Sequence, residues 1–243
     1  MIEGSFFTIL DTVDSTNNYA MARIDDGFAK HGMTWFANEQ TAGKGQRGKN
    51  WTSEKGKNIA MSLVLRPGQL KITSQFHLNA IVALVCFEFL SGYIDGETKI
   101  KWPNDLFWRD RKAGGILIES KLQGKSWKWV VVGIGININQ AVFDKSLANA
   151  VSLKQITGKT FNTLDLAKEL HALLIKKLAE QIGLAEILQQ YNQHLYKINE
   201  LVALRKKGVK FDTVIKEVST QGKLVTVDAI EREFDFGEVE WVL

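Results

Sequence analysis

The chain has 243 residues, of which 45% are hydrophobic and 24% are charged, with a formal net charge of +4 at pH 7. These values are typical of a globular protein with a buried core, and the positive charge is too small to indicate a dedicated nucleic-acid-binding protein. A single cysteine, no secretory signal and no apolar run of membrane-spanning length predict a cytoplasmic protein without disulfides or membrane contact.

The first part of the chain predicts strands and helices in alternation. "FFTIL" (6–10) has the pattern of a strand, "DSTNNYAMARIDDG" that of a helix with polar cap residues at its start, and "GMTWFANEQ" that of a second strand. After a glycine-rich loop, "NIAMSLVLRP" predicts a third strand that ends at Pro67. Residues 72–94 are apolar on most faces and predict a long buried helix.

The remainder of the chain predicts a sheet, two helices and then a separate all-β segment. "TKIKWPNDLFW" predicts two short strands around Pro103, and "GGILIES" and "WKWVVVGIGININ" predict neighbouring antiparallel strands. Residues 163–197 predict two helices that are interrupted near Gly183. From residue 200 onward, short alternating segments separated by turns predict a small all-β barrel. We therefore predict two domains, 1–198 and 199–243.

The loop "TAGKGQRGKNW" (41–51) is the most unusual stretch. From Gly43 it has the spacing of a phosphate-binding P-loop, but Asn50 stands where that motif has a hydroxyl residue, and a strand rather than a helix follows. The P-loop spacing is therefore a coincidence. Three glycines and three cations within seven residues are compatible with an anion-binding loop and equally with a flexible basic turn.

Two other stretches allow a functional and a structural interpretation. Lys101 lies between Ile100 and Trp102 in "KWPND", so it is either directed inward at an anion or is a strand-edge lysine before a turn. Gly133 and Gly135 in "GIGININ" indicate either close approach of a ligand or a glycine-kinked core strand. The residues alone do not decide between these interpretations.

Taken together and in this order, "DSTNNYA", "EQTAGKGQRGKNW", "KWPNDL", "RKAGGILIES" and "VVGIGININ" resemble the biotin protein ligases from about residue 8 to the C-terminus. The resemblance implies an α+β fold, in which a mixed-sheet catalytic domain of the biotin/lipoate ligase type precedes a small SH3-like β-barrel. It also implies a reaction in which biotin and MgATP form biotinyl-5′-AMP. Biotin then passes to a lysine of a biotin carboxyl carrier protein that belongs to a biotin-dependent carboxylase.

The resemblance also bears on partners. Its ligase motifs begin at residue 14, so we expect the class that lacks the N-terminal DNA-binding domain and has no DNA partner. Members of the family also form homodimers, and the sequence leaves that state open. Magnesium is expected to be held largely by ATP oxygens rather than by a protein metal site.

The resemblance implies roles for individual residues. It gives catalytic roles to Lys101, which would hold the biotin carboxylate and the α-phosphate, and to Arg47. The positions implied for biotin are Ser15, Thr16, Asn17, Gln40, Gly43, Lys44, Gly45, Gln46, Lys101, Gly114 and Gly115. The positions implied for ATP are Lys44, Arg47, Trp51, Lys101, Asn104, Lys112 and Asn137. Two structural alternatives stay open: "STN" as a helix cap, and Trp51 as a core residue that anchors the loop.

The loop departs from the family pattern at two positions. The family has Gly-Arg-Gly-Arg-Arg-Gly, whereas this chain has "GKGQRG", so Lys44 keeps a charge and Gln46 does not. The missing charge at Gln46 therefore predicts partial escape of the adenylate from the site. Two other functions are considered: a lipoate or octanoyl ligase on the related fold, and an RNA-binding β-barrel. The tail has aromatic residues but no clear basic–aromatic groove, which argues against RNA binding.

Overall fold

A computed structural model describes residues 7–69, 74–123 and 126–242 of the chain. Residue 6 of the first predicted strand and residues 72–73 of the predicted long helix lie outside the described residues. The helices are α1 (Thr16–Asp25), α2 (Gln75–Ser91), α3 (Leu153–Thr157), α4 (Thr163–Ala179) and α5 (Leu184–Gln193). The strands are β1 (Phe7–Val13), β2 (Thr34–Gln40), β3 (Asn58–Leu65), β4 (Thr98–Lys101), β5 (Asp105–Trp108), β6 (Arg111–Gln123), β7 (Ser126–Asn137), β8 (Leu201–Lys206), β9 (Val209–Val218), β10 (Leu224–Val227), β11 (Glu231–Phe234) and β12 (Glu240–Trp241).

The larger sheet contains seven strands in the order β1-β2-β3-β7-β6-β5-β4. β1 and β2 are parallel and are joined by α1, whereas every other neighbouring pair in this sheet is antiparallel. Parallel neighbours need a crossover connection, which α1 supplies, while short turns join β4 to β5 and β5 to β6. The long central strand β7 is rich in valine and isoleucine, the residue types that favour extended backbone.

The two faces of this sheet are covered differently. One face packs against α2 and α4, with α5 packed on α2, and forms the main core, to which alternate strand residues such as Met61, Ile116 and Ile134 contribute. The opposite face carries α1 over a smaller apolar cluster that includes Val64 and Val131. Since α1 covers only part of that face, the rest of it is left for the loop and the polar residues described below.

The second sheet contains five antiparallel strands in the order β11-β10-β9-β8-β12. It contacts the first part of the chain through the indole N–H of Trp102, which donates to the carbonyl oxygen of Gly222 at 3.0 Å. The mixed sheet confirms the predicted fold class, and the second sheet is compatible with the predicted SH3-like barrel. Among the described helices, none is both long and apolar enough to cross a membrane.

Candidate active site

One face of the larger sheet carries a row of residues with little or no side chain. Ala60 of β3 pairs with Gly135 of β7, which pairs with Gly115 of β6, and we call these three residues the glycine row. The row continues through Asp105 of β5 to Lys101 of β4. Directly paired residues share a face of a sheet, so the row is a strip of nearly bare backbone that leads to charged side chains.

The glycine-rich loop (41–51) lies over the glycine row. The backbone N–H of Trp51 donates to the carbonyl oxygen of Gly43 at 2.8 Å and closes the loop, and the N–H of Gly45 donates within the loop at 2.6 Å. The indole of Trp51 lies so close to Gly135 that an added Cβ there would be 2.5 Å from the ring. The loop therefore places an aromatic ring directly on backbone that has no side chain.

The polar side chains of the loop reach two different parts of the protein, strand β6 and the second sheet. Lys44 Nζ lies 3.4 Å from Glu119 Oε1 of β6, and Gln46 Nε2 donates to a backbone carbonyl of β6 at 3.4 Å. Arg47 has a left-handed backbone (φ 56°), and its guanidinium packs against Gly237 in the turn between β11 and β12. The loop thus spans from the polar end of the site to the second sheet.

A polar network lies beside the glycine row at the start of α1; its members are Thr16, Asn17, Gln40, Ser62 and Glu119. The N–H and hydroxyl of Thr16 donate to Gln40 Oε1 at 2.8 and 3.0 Å. Ser62 Oγ donates to Asn17 Oδ1 at 2.6 Å, and Asn17 Nδ2 donates to Glu119 Oε2 at 2.7 Å. Thr16, Asn17 and Ser62 are buried, so these partners hold their polar groups in defined orientations.

A lysine cluster lies at the end of the glycine row that reaches β4. Lys101 is only 9% exposed, and its Nζ lies 4.5 Å from the ring centre of Phe107 and 5.3 Å from that of Trp241. Lys112 Nζ lies 2.6 Å from Asp105 Oδ1. Two lysines against one carboxylate leave this end of the row with excess positive charge, which suits an anionic ligand.

Burial is the main influence on the pKa of Lys101. It lowers the pKa of Lys101 from its usual value of 10.5 to about 8; Asp105 opposes this shift, and Lys112 and Lys49 add to it. A lysine that packs against aromatic rings loses hydration, and the cation is the form that needs that hydration most. Perturbed lysines of this kind are concentrated at functional sites.

Four of the other predicted positions border the site. Asn104 Nδ2 donates to a carbonyl of β6, and Asn137 Nδ2 donates to two backbone carbonyls at 3.2 and 3.3 Å. Gly114 faces away from the glycine row, because it pairs with Ile136, a residue of the main core. Ser15 is the N-cap residue of α1 and is 1% exposed, yet its side chain makes no capping hydrogen bond to the described residues. The ligand contacts of these four residues stay predictions.

Comparison with known proteins identifies the family. The sequence profile of the "Biotin/lipoate A/B protein ligase family" matches residues 9–137. The chain is 32% identical over 246 residues to the bifunctional ligase/repressor BirA of Escherichia coli, covering 98% of this chain and 74% of the relative.

This chain belongs to the biotin/lipoate A/B protein ligase family.

Two further comparisons agree with this membership. The chain is 39% identical over 134 residues to the biotin–[acetyl-CoA-carboxylase] ligase of Paracoccus denitrificans, covering 54% of this chain and 53% of the relative. The solved structure of the biotin protein ligase from Aquifex aeolicus in complex with biotin and ATP superposes with a TM-score of 0.82 at 24% identity and 98% coverage of both chains. The sequence match confirms the resemblance, and the structural match confirms the fold.

The sequence did not predict several of the residues that form this site. Ser62 and Glu119 complete the polar network, Asp105 pairs with Lys112, and Trp241 covers Lys101. Glu119 lies four residues after Gly115 on the same strand, so its alternation with the glycine row is a signal that the sequence did contain. Ser62 and Trp241 carry no local signal, because each reaches the site only through packing.

No protein metal centre is visible in the described part of this family member, since no group of three or more His, Cys, Asp or Glu side chains there could hold a metal ion. The carboxylate nearest the lysine cluster, Asp105, is already bonded to Lys112. The donors at this end of the glycine row are therefore mainly ammonium groups, which bind phosphate or carboxylate oxygens rather than a bare cation.

Proposed function

We propose that this chain is an ATP-dependent biotin protein ligase that forms biotinyl-5′-AMP and then transfers biotin to a lysine of a biotin carboxyl carrier protein. The observation that carries the proposal is the glycine row, with a polar network beside it and a lysine cluster at one end. A ligand with a polar ring, an apolar middle and an acidic end matches that sequence of environments. The relatives that are named as biotin–[acetyl-CoA-carboxylase] ligases favour biotin over a lipoyl or octanoyl group.

In this arrangement the ureido ring of biotin is bound by the polar network, and its carboxylate is directed to the lysine cluster. Buried amide and hydroxyl groups with set orientations suit the N–H and C=O groups of the ureido ring. Gly115 has no side chain, so its backbone is the surface against which the apolar ring system and chain lie, while the Trp51 indole covers Gly135. Trp51 contributes an aromatic face for the adenine, as its contact with the row allows.

The first chemical step joins two anions. A biotin carboxylate oxygen forms a bond to the α-phosphorus of ATP, the bond from that phosphorus to the bridging oxygen breaks, and pyrophosphate leaves. Lys101 and Lys112 hold the two reactants together and offset the negative charge that builds on the α-phosphate oxygens. Magnesium would be held mainly by ATP oxygens, since the described residues offer no cluster of metal ligands, and it would neutralise part of the polyphosphate charge.

The second step transfers biotin to the carrier protein. The neutral amine of the carrier lysine attacks the carbonyl carbon of biotinyl-5′-AMP, an amide bond forms, and AMP leaves with the bonding electron pair. The proton that the amine loses passes to solvent or to AMP. Within the chain, the closed loop and the lysine cluster retain the adenylate until the carrier arrives.

The compartment that we propose is the cytoplasm. Cys86, the one cysteine of the sequence, is fully buried within α2, and burial raises the pKa of its thiol well above the usual range. A buried protonated thiol is unreactive, so the chain neither needs nor forms a disulfide of its own.

Pyrophosphate exchange tests the proposed function directly. The purified chain is incubated with ATP and labelled pyrophosphate, and incorporation of label into ATP is measured with biotin, lipoate, octanoate or no acid. We expect exchange with biotin alone, followed by transfer of biotin to an apo carrier domain. Exchange that requires lipoate or octanoate instead, or no acid-dependent exchange at all, would refute the proposal.

Activity should depend on pH through Lys101. Because its pKa is lowered to about 8, Lys101 is a cation below that pH and loses its charge as pH rises through it. We expect the exchange rate to fall above about pH 8. Arginine stays charged over this range, so Lys101→Arg should lack this alkaline limb whatever its absolute rate. An identical limb in both proteins would assign it to another group.

Gln46→Arg is expected to slow escape of the adenylate from the site. An arginine in the loop offers charge-assisted hydrogen bonds to the phosphate, worth about 1 to 2 kcal/mol more than the neutral bonds of glutamine, or about ten-fold in retention. Adenylate is formed in a single turnover without carrier protein, and its release is followed in both proteins. Unchanged release would mean that position 46 does not contact the intermediate.

Gly133→Ala is expected to weaken biotin binding indirectly, because the added methyl group displaces the Asn17 amide rather than contacting biotin. A Cβ at Gly133 would lie 2.3 Å from Asn17 Oδ1, so the Asn17 amide must leave its position in the polar network. We expect the biotin KM to rise by about ten-fold and stability to fall by about 1–3 kcal/mol. Gly183→Ala, with no atom within 4 Å of the added Cβ among the described residues, is the matched control. A biotin KM equal to that of the control would contradict the assigned role of Asn17.

A further inference from the structure

The carboxylate of Glu119 joins three segments that are far apart in the sequence. Its Oε2 accepts a hydrogen bond from Asn17 at the start of α1 at 2.7 Å, and its Oε1 lies 3.4 Å from Lys44 of the loop. Glu119 itself lies on β6, between the glycine row and the end of the strand. It is thus placed where it can influence the polar network, the loop, or both.

The two contacts of Glu119 differ in strength. Lys44 and Glu119 have side chains that are 43% and 29% exposed, and an ion pair of that kind at 3.4 Å contributes little. The Asn17 amide is 3% exposed, and its other acceptor, the carbonyl of Leu117, lies at 3.4 Å. Loss of the Glu119 carboxylate would leave a buried N–H group poorly satisfied, which is the more costly change.

Glu119 also determines which way the Asn17 amide faces. An ionised carboxylate only accepts hydrogen bonds, so the NH₂ group of Asn17 must face Glu119, while the hydroxyl of Ser62 donates to Oδ1 from the other side at 2.6 Å. The amide lies flat against Gly133, where no side chain supports it. Its orientation therefore depends mainly on these two short hydrogen bonds, with the longer one to Leu117 beside them.

We propose that Glu119 is a positioning residue for biotin, which orients the Asn17 amide toward the ureido ring and acts through that amide rather than through its charge on Lys44. This inference rests on the proposed function, because it assumes that the polar network binds the ureido ring. It assigns to a surface-facing glutamate a role in substrate affinity. Glu119 does not contact the reacting atoms.

The test compares Glu119→Ala with the conservative Glu119→Gln in biotin-dependent pyrophosphate exchange. The alanine variant removes the acceptor, so the biotin KM should rise by about ten-fold while the ATP KM stays within two-fold of wild type. The glutamine variant keeps an acceptor oxygen for Asn17 and loses only the charge, so its biotin KM should stay near the wild-type value. Asn17→Ala combined with Glu119→Ala should be no worse than Asn17→Ala alone.

Glu39→Ala is the matched control. Glu39 is also a strand glutamate, 35% exposed and 3.4 Å from a lysine, Lys55, but it lies outside the polar network. Its removal should leave both KM values unchanged. If Glu119→Ala does not fold, Glu119→Asp replaces it, since that carboxylate is one methylene too short for Asn17 and should also raise the biotin KM.

Three results would overturn the inference. Glu119→Ala with an unchanged biotin KM would remove Glu119 from biotin binding. Glu119→Gln as impaired as Glu119→Ala would show that charge, and hence Lys44, carries the effect. A wild-type chain without biotin-dependent exchange would refute the proposed function and this inference together, whereas an active wild type with an unaffected Glu119→Ala refutes only the inference.

Discussion

Lys101→Ala is expected to lower the rate of biotinyl-5′-AMP formation by about 100-fold or more. Lys101 is buried at the end of the glycine row, and its low exposure makes its charge act in a poorly hydrated environment. The cation is needed most when charge builds on the α-phosphate, so kcat should fall more than the KM for either substrate. Single-turnover formation of adenylate measures this step without product release.

Lys101→Ala needs a control that separates loss of charge from loss of packing. Lys101 packs against Phe107 and Trp241, so its removal also takes methylene groups from this contact. Lys101→Met keeps that packing and removes only the charge, and it should be as inactive as the alanine variant. A folded Lys101→Met protein with a near wild-type rate would exclude Lys101 from the reaction.

Lys112→Ala is expected to impair adenylate formation by a similar factor, about 100-fold, for a partly different reason. Lys112 Nζ lies 2.6 Å from Asp105 Oδ1, and both side chains lie beside Gly115 of the glycine row. Without Lys112, the phosphate loses a cation and also meets the unneutralised carboxylate of Asp105. The KM for ATP should therefore rise and kcat should fall, and steady-state exchange at varied ATP measures both.

The double variant separates these two contributions. Asp105→Asn removes the repulsive charge, so adding it to Lys112→Ala should restore part of the lost ATP affinity. Asp105→Asn alone is expected to have a smaller effect than Lys112→Ala. If the double variant binds ATP no better than Lys112→Ala, repulsion by Asp105 is not part of the defect.

Local pattern was sufficient to predict most of the elements of this protein. The alternation and β-branched residues of "WKWVVVGIGININ" predict β7, and the polar cap residues and Gly183 predict the helices near them. The sequence alone excluded a P-loop, because a strand rather than a helix was predicted to follow the loop. The structure agrees, since a closed loop leads into the third strand. These features depend on neighbours within one turn or one strand, which the sequence shows directly.

The sequence by itself determined that a basic glycine loop, a lysine between apolar residues and a strand with two glycines occur together, and that this order resembles biotin protein ligases. Only the tertiary structure decided which of these share a surface. Strand pairing aligns Gly115 with Gly135, and packing brings Asn17 to Glu119, 102 residues later in the chain. Strand periodicity assigns residues to alternate faces, but the register between strands and the burial of Lys101 depend on long-range packing, which a local pattern does not contain.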